Sequence, residues 1–250
     1  MKAKKHLGQH FLIDAMVIDK ILEAISQNCS IDMPILEVGP GPGVLTKALN
    51  EHFKNFKAVE LDEDMVERLR LLLKPNQLLH EDFLKLELDT LFEGEAFNLV
   101  GNFPYNISSQ IVFKMVESTD KIPVMVGMFQ KELAERICAV PKTKANGILS
   151  LMAQAFYDAE ILFTIGPDAF DPPPKVDSAV ILLKRKEHYE LPCDFKIYKR
   201  LIKQAFQQRR KKMRNTLKSY NLDLTHEIFQ KRPEELGVAD FVNIVNMLNS

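Results

Sequence analysis

Ile35-Leu36-Glu37-Val38-Gly39-Pro40-Gly41-Pro42-Gly43-Val44-Leu45-Thr46 reads as a buried strand running into a glycine-rich turn and then a helix. Glycines at Gly39 and Gly41 let the backbone approach a ligand where a Cβ would clash. Val44, Leu45, Ala48 and Leu49 are spaced to pack the helix on a sheet. The next strand, 56–61, carries Glu60 near its carboxyl end, 17 residues beyond Gly43, where an acid suits hydrogen bonding to ribose hydroxyls. The spacing is Gly-x-Gly-x-Gly rather than Gly-x-Gly-x-x-Gly, which counts against a dinucleotide such as NAD.

Beyond that strand, Asp62, Glu63 and Asp64 suit the first turn of a helix with Met65, Val66, Leu69, Leu72 and Leu73 inward, ended by Pro75. A short strand at 77–80 then delivers Glu81-Asp82-Phe83 to the edge that holds Glu60. A carboxylate and a neighbouring amide can read an adenine's amino group and ring nitrogen, with Phe83 beside the ring; the plain alternative is an Asp capping a turn. The apolar run 97–100 leads into Val100-Gly101-Asn102-Phe103-Pro104-Tyr105-Asn106, ahead of a helical pattern over 108–116. Pro104 has no N–H and biases Phe103 towards an extended conformation, which leaves the carbonyls on either side free to accept. Asn102 and the Pro104 carbonyl can then hold both hydrogens of an adenine N6 amine while Tyr105 stacks on the ring. Alone, Asn-x-Pro is also an ordinary turn signal.

A strand over 124–130, a helix over 131–139, a polar basic loop at 141–147 and strands over 159–165 and 176–183 complete the α/β pattern. Between the last two strands, Phe170-Asp171-Pro172-Pro173-Pro174-Lys175-Val176 is stiff enough to hold Phe170 opposite Tyr105, sandwiching a base, or to be merely a rigid connection. Towards the amino end, Lys4-Lys5-His6-Leu7-Gly8-Gln9-His10-Phe11-Leu12 is a basic arm able to fold over a ligand or to fray. It precedes a helix capped by Asp14, with Ile18, Ile21, Leu22 and Ile25 on one face. After Lys186 only helices follow: Ile197, Leu201, Ile202 and Ala205 share one face, as do Phe241, Ile244, Val245 and Leu248. Arg209-Arg210-Lys211-Lys212, with Arg214, is a cationic run without an intervening acid, suited to phosphates or to a solvated face.

Composition narrows the class. At 250 residues the chain is long enough for one large domain and a small appendage, divided here as 1–186 and 187–250. It opens with no secretory leader and contains no apolar run of the ~20 residues that cross a bilayer, so a cytoplasmic protein is expected. Cys29, Cys138 and Cys193 form no CxxC pair and no zinc spacing with the six histidines, and no metal is expected. The net charge of -1 conceals segregation: 184–214 holds twelve Lys or Arg against three acids, and Lys2, Lys4 and Lys5 form a second basic cluster.

Taken together, Gln9-His10-Phe11-Leu12, Gly39 to Gly43, Glu60, Asp82, Asn102 to Ser108, Phe170 to Ala179 and Ala205 to Leu217 resemble the KsgA-type ribosomal RNA adenine dimethyltransferases, in order and over nearly the whole chain. The resemblance implies a Rossmann-like class I methyltransferase: a seven-stranded, mostly parallel α/β sheet with one antiparallel edge strand, plus a small all-helical C-terminal domain that binds RNA through Arg209, Arg210, Lys211 and Lys212. It further implies S-adenosylmethionine as methyl donor, contacted by His10, Leu12, Gly39, Gly41, Glu60, Asp82 and Asn102. The implied substrate is a pair of adjacent adenosines near the 3′ end of 16S ribosomal RNA in the small subunit, each methylated twice at N6 by a monomer. Asn102, Pro104, Tyr105 and Phe170 would then surround the reacting base. Two residues depart from the family pattern: His10 stands where Asn is frequent, and Phe103 where Leu is usual. An antibiotic-resistance type of large-subunit adenine methyltransferase would share the chemistry, but the glycine loop and triple proline favour the small-subunit type. A non-catalytic RNA-binding or ribosome assembly factor on this fold would not need the intact Asn102 to Tyr105 loop.

Overall fold

The computed structural model describes residue 4 and residues 8–220 and 222–248; of the basic cluster at Lys2, Lys4 and Lys5, all but Lys4 lies outside the described residues. The chain forms two compact units, one built from the chain up to Ala134 with Asp158–Arg185, the other from Glu135–Tyr157 with Lys186 onward. This differs from the linear division at 186, because the segment 135–157 folds with the C-terminal helices rather than with the sheet.

The first unit contains β1 (Phe11–Leu12), α1 (Ala15–Asn28), β2 (Ile35–Val38), α2 (Thr46–His52), β3 (Phe56–Glu60), α3 (Glu63–Leu69), β4 (Leu78–His80), β5 (Asn98–Asn102), α4 (Ser108–Glu117) and β6 (Val124–Gln130). After α5 (Lys131–Ile137) and α6 (Ile148–Gln154) come β7 (Tyr157–Ile165), β8 (Phe170–Asp171) and β9 (Ser178–Arg185). The seven-stranded sheet runs β4-β3-β2-β5-β6-β9-β7. Its β4–β3, β3–β2, β2–β5 and β5–β6 pairs are parallel, and β6–β9 is antiparallel. The antiparallel strand is therefore one place in from the edge, which corrects the expectation of an antiparallel edge strand. Burial explains the order: Ser178 to Ile181 of β9 are buried at successive positions, as an inner strand requires, whereas β7 is largely half-exposed or exposed.

Successive strand residues serve opposite faces. Ile35, Val100, Val126 and Met128 share a core cluster with Ile21, Ala24 and Ile25 of α1 and Leu49 of α2. Leu36 and Leu99, one position along, are fully buried outside that cluster. Asp14 caps α1 by accepting from the Met16 and Val17 amides. The helix expected to start at Val44 starts at Thr46 after consecutive turns, and Leu72, expected to face inward, is exposed.

The second unit adds α7 (Phe195–Gln207), α8 (Met213–Thr216) and α9 (Val238–Leu248). Buried Tyr198 of α7 donates its hydroxyl to the Leu151 carbonyl of α6 (3.0 Å), and Phe206 stacks on Phe241 of α9 with ring centres 6.4 Å apart. No helix among the described residues is long and apolar enough to cross a membrane.

Candidate active site

From β2 the strand order proceeds one way through β3 to β4 and the other way through β5 to β6, so β2 and β5 flank the switch point at which open α/β sheets bind ligands. The glycine turn leaves β2 here, and the Asn102 loop leaves β5. Gly39 adopts φ 66°, and its absent Cβ would sit 3.3 Å from Pro104 Cδ; a side chain would strain the turn and crowd the two loops together. The Gly39 amide bonds the Val59 carbonyl (2.9 Å), locking the turn to β3.

At the end of β3, the Glu60 carboxylate accepts from the amides of Gly41 (3.0 Å), Leu61 (2.8 Å) and Asp62 (2.9 Å). Burial raises its pKa, while these bonds favour the charged form. Held this way it is an acceptor with lone pairs to spare, matched to vicinal hydroxyls. Glu37 on β2 is 1% exposed and takes one hydrogen bond, from Thr46 Oγ1 (2.8 Å); burial pushes its pKa up to about 8. On the next loop, one Asp82 oxygen accepts from the Leu84 amide (2.9 Å), the turn-capping role, while the residue also lines the cleft with Phe83.

Asn102 ends β5. Its Nδ2 donates to the His10 carbonyl (3.1 Å). A flipped amide would set two oxygens together, so Oδ1 is the end left to accept. The Pro104 carbonyl already accepts from the Ile107 amide (3.2 Å) and Ser108 Oγ (2.8 Å), so the part foreseen for it as second acceptor is corrected. These bonds belong to the turn that starts α4. On the other side of the proline, the Phe103 carbonyl accepts no hydrogen bond among the described residues. The Phe103 ring is fully buried, edge-on to Phe129 at 5.1 Å, and fills the space over Gly127, where a Cβ would lie 2.1 Å from it. Its departure from Leu is thus a matter of packing. Tyr105 bonds Ser178 Oγ through its hydroxyl (2.5 Å) and stacks on His10 with ring centres 5.3 Å apart.

Of the arm, Gly8 to Leu12 line this cleft. Lys4 Nζ meets Asp62 at 2.5 Å and Asp64 at 2.6 Å, and Gln9 Nε2 donates to Asp62 (2.7 Å). Burial works to raise the Asp62 pKa, but the bonds from Lys4, Gln9 and the Asp64 amide outweigh it and hold the carboxyl below its ordinary value. His10 Nδ1 lies 2.8 Å from the Pro172 carbonyl; since a carbonyl can only accept, that nitrogen carries the hydrogen. The ladder between β1 and β8 pairs Phe11 with Asp171 and Leu12 with Phe170.

His10, Leu12, Gly39, Gly41, Glu60, Asp82, Asn102, Pro104 and Tyr105 all line one cleft. Phe170 does not: it is 2% exposed and packs in the core with Leu12, Ile165 and Ala169, so its position here corrects the picture of a ring facing Tyr105. Arg209 to Lys212 belong to the second unit; Arg209 is tied to Glu234 (2.7 Å) and to the Lys144 carbonyl, while Arg210, Lys211 and Lys212 are exposed. Sequence reasoning missed Glu37 and Ser178. A carboxylate inside the apolar run Ile35 to Val38 was a readable sign of the first; the second lies in the stretch Phe170 to Ala179, but no local pattern tied it to Tyr105. Among the described residues no cluster of His, Cys, Asp and Glu could hold a metal.

A parallel sheet with one antiparallel insertion, a glycine turn and a strand-end acid at the switch point, and an Asn-x-Pro-Tyr loop beside them together define a class I, Rossmann-like methyltransferase. The model of the ribosomal RNA adenine dimethylase family matches residues 1–249, and the chain belongs to that family. It is 48% identical over 256 aligned positions to the ribosomal RNA small subunit methyltransferase A of Flavobacterium johnsoniae, covering 100% of this chain and 97% of the relative. The Bacteroides fragilis protein of the same description is 47% identical, with 99% and 93% covered. Among solved structures, a dimethyladenosine transferase from Plasmodium falciparum superposes with a TM-score of 0.80 at 25% identity, covering 96% and 98%. The 23S rRNA methyltransferase ErmE gives 0.69 at 25% identity, covering 94% and 99%.

Proposed function

We propose that this enzyme transfers methyl groups from S-adenosylmethionine to N6 of two adjacent adenosines near the 3′ end of 16S ribosomal RNA, giving N6,N6-dimethyladenosine in the small subunit or its assembly intermediate. The observation that carries the reading is the pair of acceptors without a hydrogen bond among the described residues, Asn102 Oδ1 and the Phe103 carbonyl, at a cleft also lined by Glu60.

The residues present fit the donor. Glu60 offers a carboxylate to ribose hydroxyls, the bare Gly39 lets the glycine turn and the Asn102 loop meet at the cleft, and Leu12 and Phe83 offer apolar walls to an adenine ring, with Asp82 at its amino edge. His10, Gly41 and Asn102 complete the cofactor set. When bound, S-adenosylmethionine supplies a methyl group on a positively charged sulfur, already activated for transfer.

Adenine N6 is a poor nucleophile because its lone pair is delocalised into the ring, so orientation supplies much of the rate. Asn102 Oδ1 and the Phe103 carbonyl accept one N6 hydrogen each, which favours a pyramidal nitrogen with its lone pair turned out of the ring plane. Tyr105 offers stacking to a base that has left its own stack. Neither a metal nor a strong general base is required. The second unit, with exposed Arg210, Lys211 and Lys212, binds RNA, and the enzyme acts as a monomer in the cytoplasm.

Single-turnover methylation of small subunits from a strain lacking these methyl groups tests the reading. At saturating S-adenosylmethionine, Asn102→Ala should lower turnover by roughly a hundredfold or more with little change in subunit affinity, since the lost interaction strengthens in the transition state. Near-normal turnover would remove Asn102 from the mechanism. Methyl transfer to large subunits in place of small ones would support the antibiotic-resistance type instead.

A further inference from the structure

We infer that the exposed face of α7 is a second RNA contact, a cationic groove that holds a run of successive phosphates of the substrate RNA apart from the Arg209 to Lys212 turn. The groove is lined by Lys196, Lys199, Arg200, Lys203, Gln204 and Gln207, with Gln208 and Thr216 at its end. The cations stand at i, i+3, i+4 and i+7, which places them on one side of the helix, while Tyr198, Leu201, Ile202 and Ala205 are buried on the other. No carboxylate lines the groove. Lys196, Arg200 and Lys203 are exposed and enter no ion pair among the described residues. By contrast Arg209, within the expected phosphate-binding run, is spent on Glu234 and the Lys144 carbonyl.

The floor of the groove is tied by two hydrogen bonds at Gln204. Gln204 Nε2 donates to the Thr216 carbonyl (2.9 Å), and its Oε1 accepts from the Tyr220 hydroxyl (2.7 Å). The cations above it reach out on long stems. From Lys196 to Lys203 the helix rises about 10 Å at ~1.5 Å per residue. Charges strung over that length suit an extended polyanion better than one compact anion. Accumulated positive charge with no acid in between also produces a field that attracts nucleic acid. The inference rests on the functional reading above in taking the polyanion to be the substrate RNA.

The test is the full-length triple variant Lys196→Gln, Arg200→Gln, Lys203→Gln, with the charge-preserving Lys196→Arg, Lys203→Arg variant as its partner. Binding to undermethylated small subunits is measured over a salt series, alongside S-adenosylmethionine affinity and circular dichroism. The log-log salt slope should fall by about 2, at roughly 0.7 per lost phosphate contact, with affinity at low salt falling at least tenfold. Cofactor affinity and the helical spectrum should match wild type, and the charge-preserving variant should bind as wild type does. An unchanged slope and affinity would overturn the inference while leaving the methyltransferase reading standing, because wild type on the same subunits reports that reading separately through methyl transfer. A triple variant that loses subunit binding yet binds protein-free small-subunit RNA with the wild-type slope would also overturn it, since the groove would then meet a ribosomal protein. Should the triple variant misfold, Lys203→Gln alone must still lower the slope by about 0.7, and a wild-type slope in it would overturn the inference.

Discussion

At the scale of single residues, two buried carboxylates in one cleft are held in opposite ways. Glu60 is bonded by the amides of Gly41, Leu61 and Asp62, so its charge is supported where a diol would bind. Glu60→Gln keeps the shape but halves the acceptor capacity, and it should weaken S-adenosylmethionine binding by about 1 to 3 kcal/mol. Isothermal titration would show this, and unchanged affinity would detach Glu60 from the cofactor. Glu37, with Thr46 Oγ1 as the one hydrogen-bond partner of its carboxyl among the described residues, is pushed up from 4.5 to about 8 by burial. Because its pKa is raised in the fold, its contribution to stability is fully present below pH ~4.5 and is lost as pH rises through ~8. Glu37→Gln cannot ionise and still accepts from Thr46. Wild type should therefore lose more thermal stability than the variant between about pH 5 and about pH 9, and parallel melting curves would refute the buried protonated carboxyl. Tyr105 is bound by its hydroxyl to Ser178 and by its ring to His10, so Tyr105→Phe should keep most of the stacking that Tyr105→Ala loses, worth ~1 to 3 kcal/mol. Equal defects in single-turnover methylation would shift the weight from ring to hydroxyl.

At the scale of elements, the Asn102 loop is fixed from below by β6. The Phe103 amide bonds the Met128 carbonyl (3.3 Å), and the Phe103 ring occupies the place a side chain at 127 would need. Gly127→Ala should force the ring to move, costing about 1 to 3 kcal/mol by overpacking. The same shift displaces the Phe103 carbonyl, so turnover should fall further than stability alone explains. Chemical denaturation paired with single-turnover rates separates the two, and a stable, fully active variant would show that the ring yields without moving the backbone. Lys4 and Gln9 are held at the start of α3 by Asp62, and Phe11 and Leu12 of β1 pair with β8. Asp62→Asn removes the charge that Lys4 holds, and release of bound cofactor should quicken a few-fold.

At the scale of the whole molecule, the order of the chain and the order of the fold part company. The segment Glu135–Tyr157 lies between strands in sequence yet packs with the C-terminal helices, where the Tyr198 hydroxyl meets the Leu151 carbonyl. A chain cut after Lys186 therefore strips α6 of the helix that covers it and exposes buried Leu149, Leu151 and Met152. That fragment should aggregate on expression. A chain in which 135–157 is also replaced by a short polar linker should stay soluble and retain the sheet. Equal solubility of the two would mean that 135–157 belongs with the sheet after all.

Local pattern determined much of this protein. The strand, glycine turn and helix around Gly39, the acid ending β3, the extended run of β6 and the cap at Asp14 all follow from periodicity and backbone chemistry over a few residues. So did the convergence of Gly39, Glu60, Asp82 and Asn102, because parallel strands deliver their carboxyl ends to one edge. Tertiary structure decided what depends on residues distant in the chain. β9 rather than the more exposed β7 lies beside β6, and the Phe170 ring goes into the core because β8 pairs with β1. Each of these turns on which polar group or apolar ring finds a partner, and partners more than a few residues away leave no trace in a local pattern.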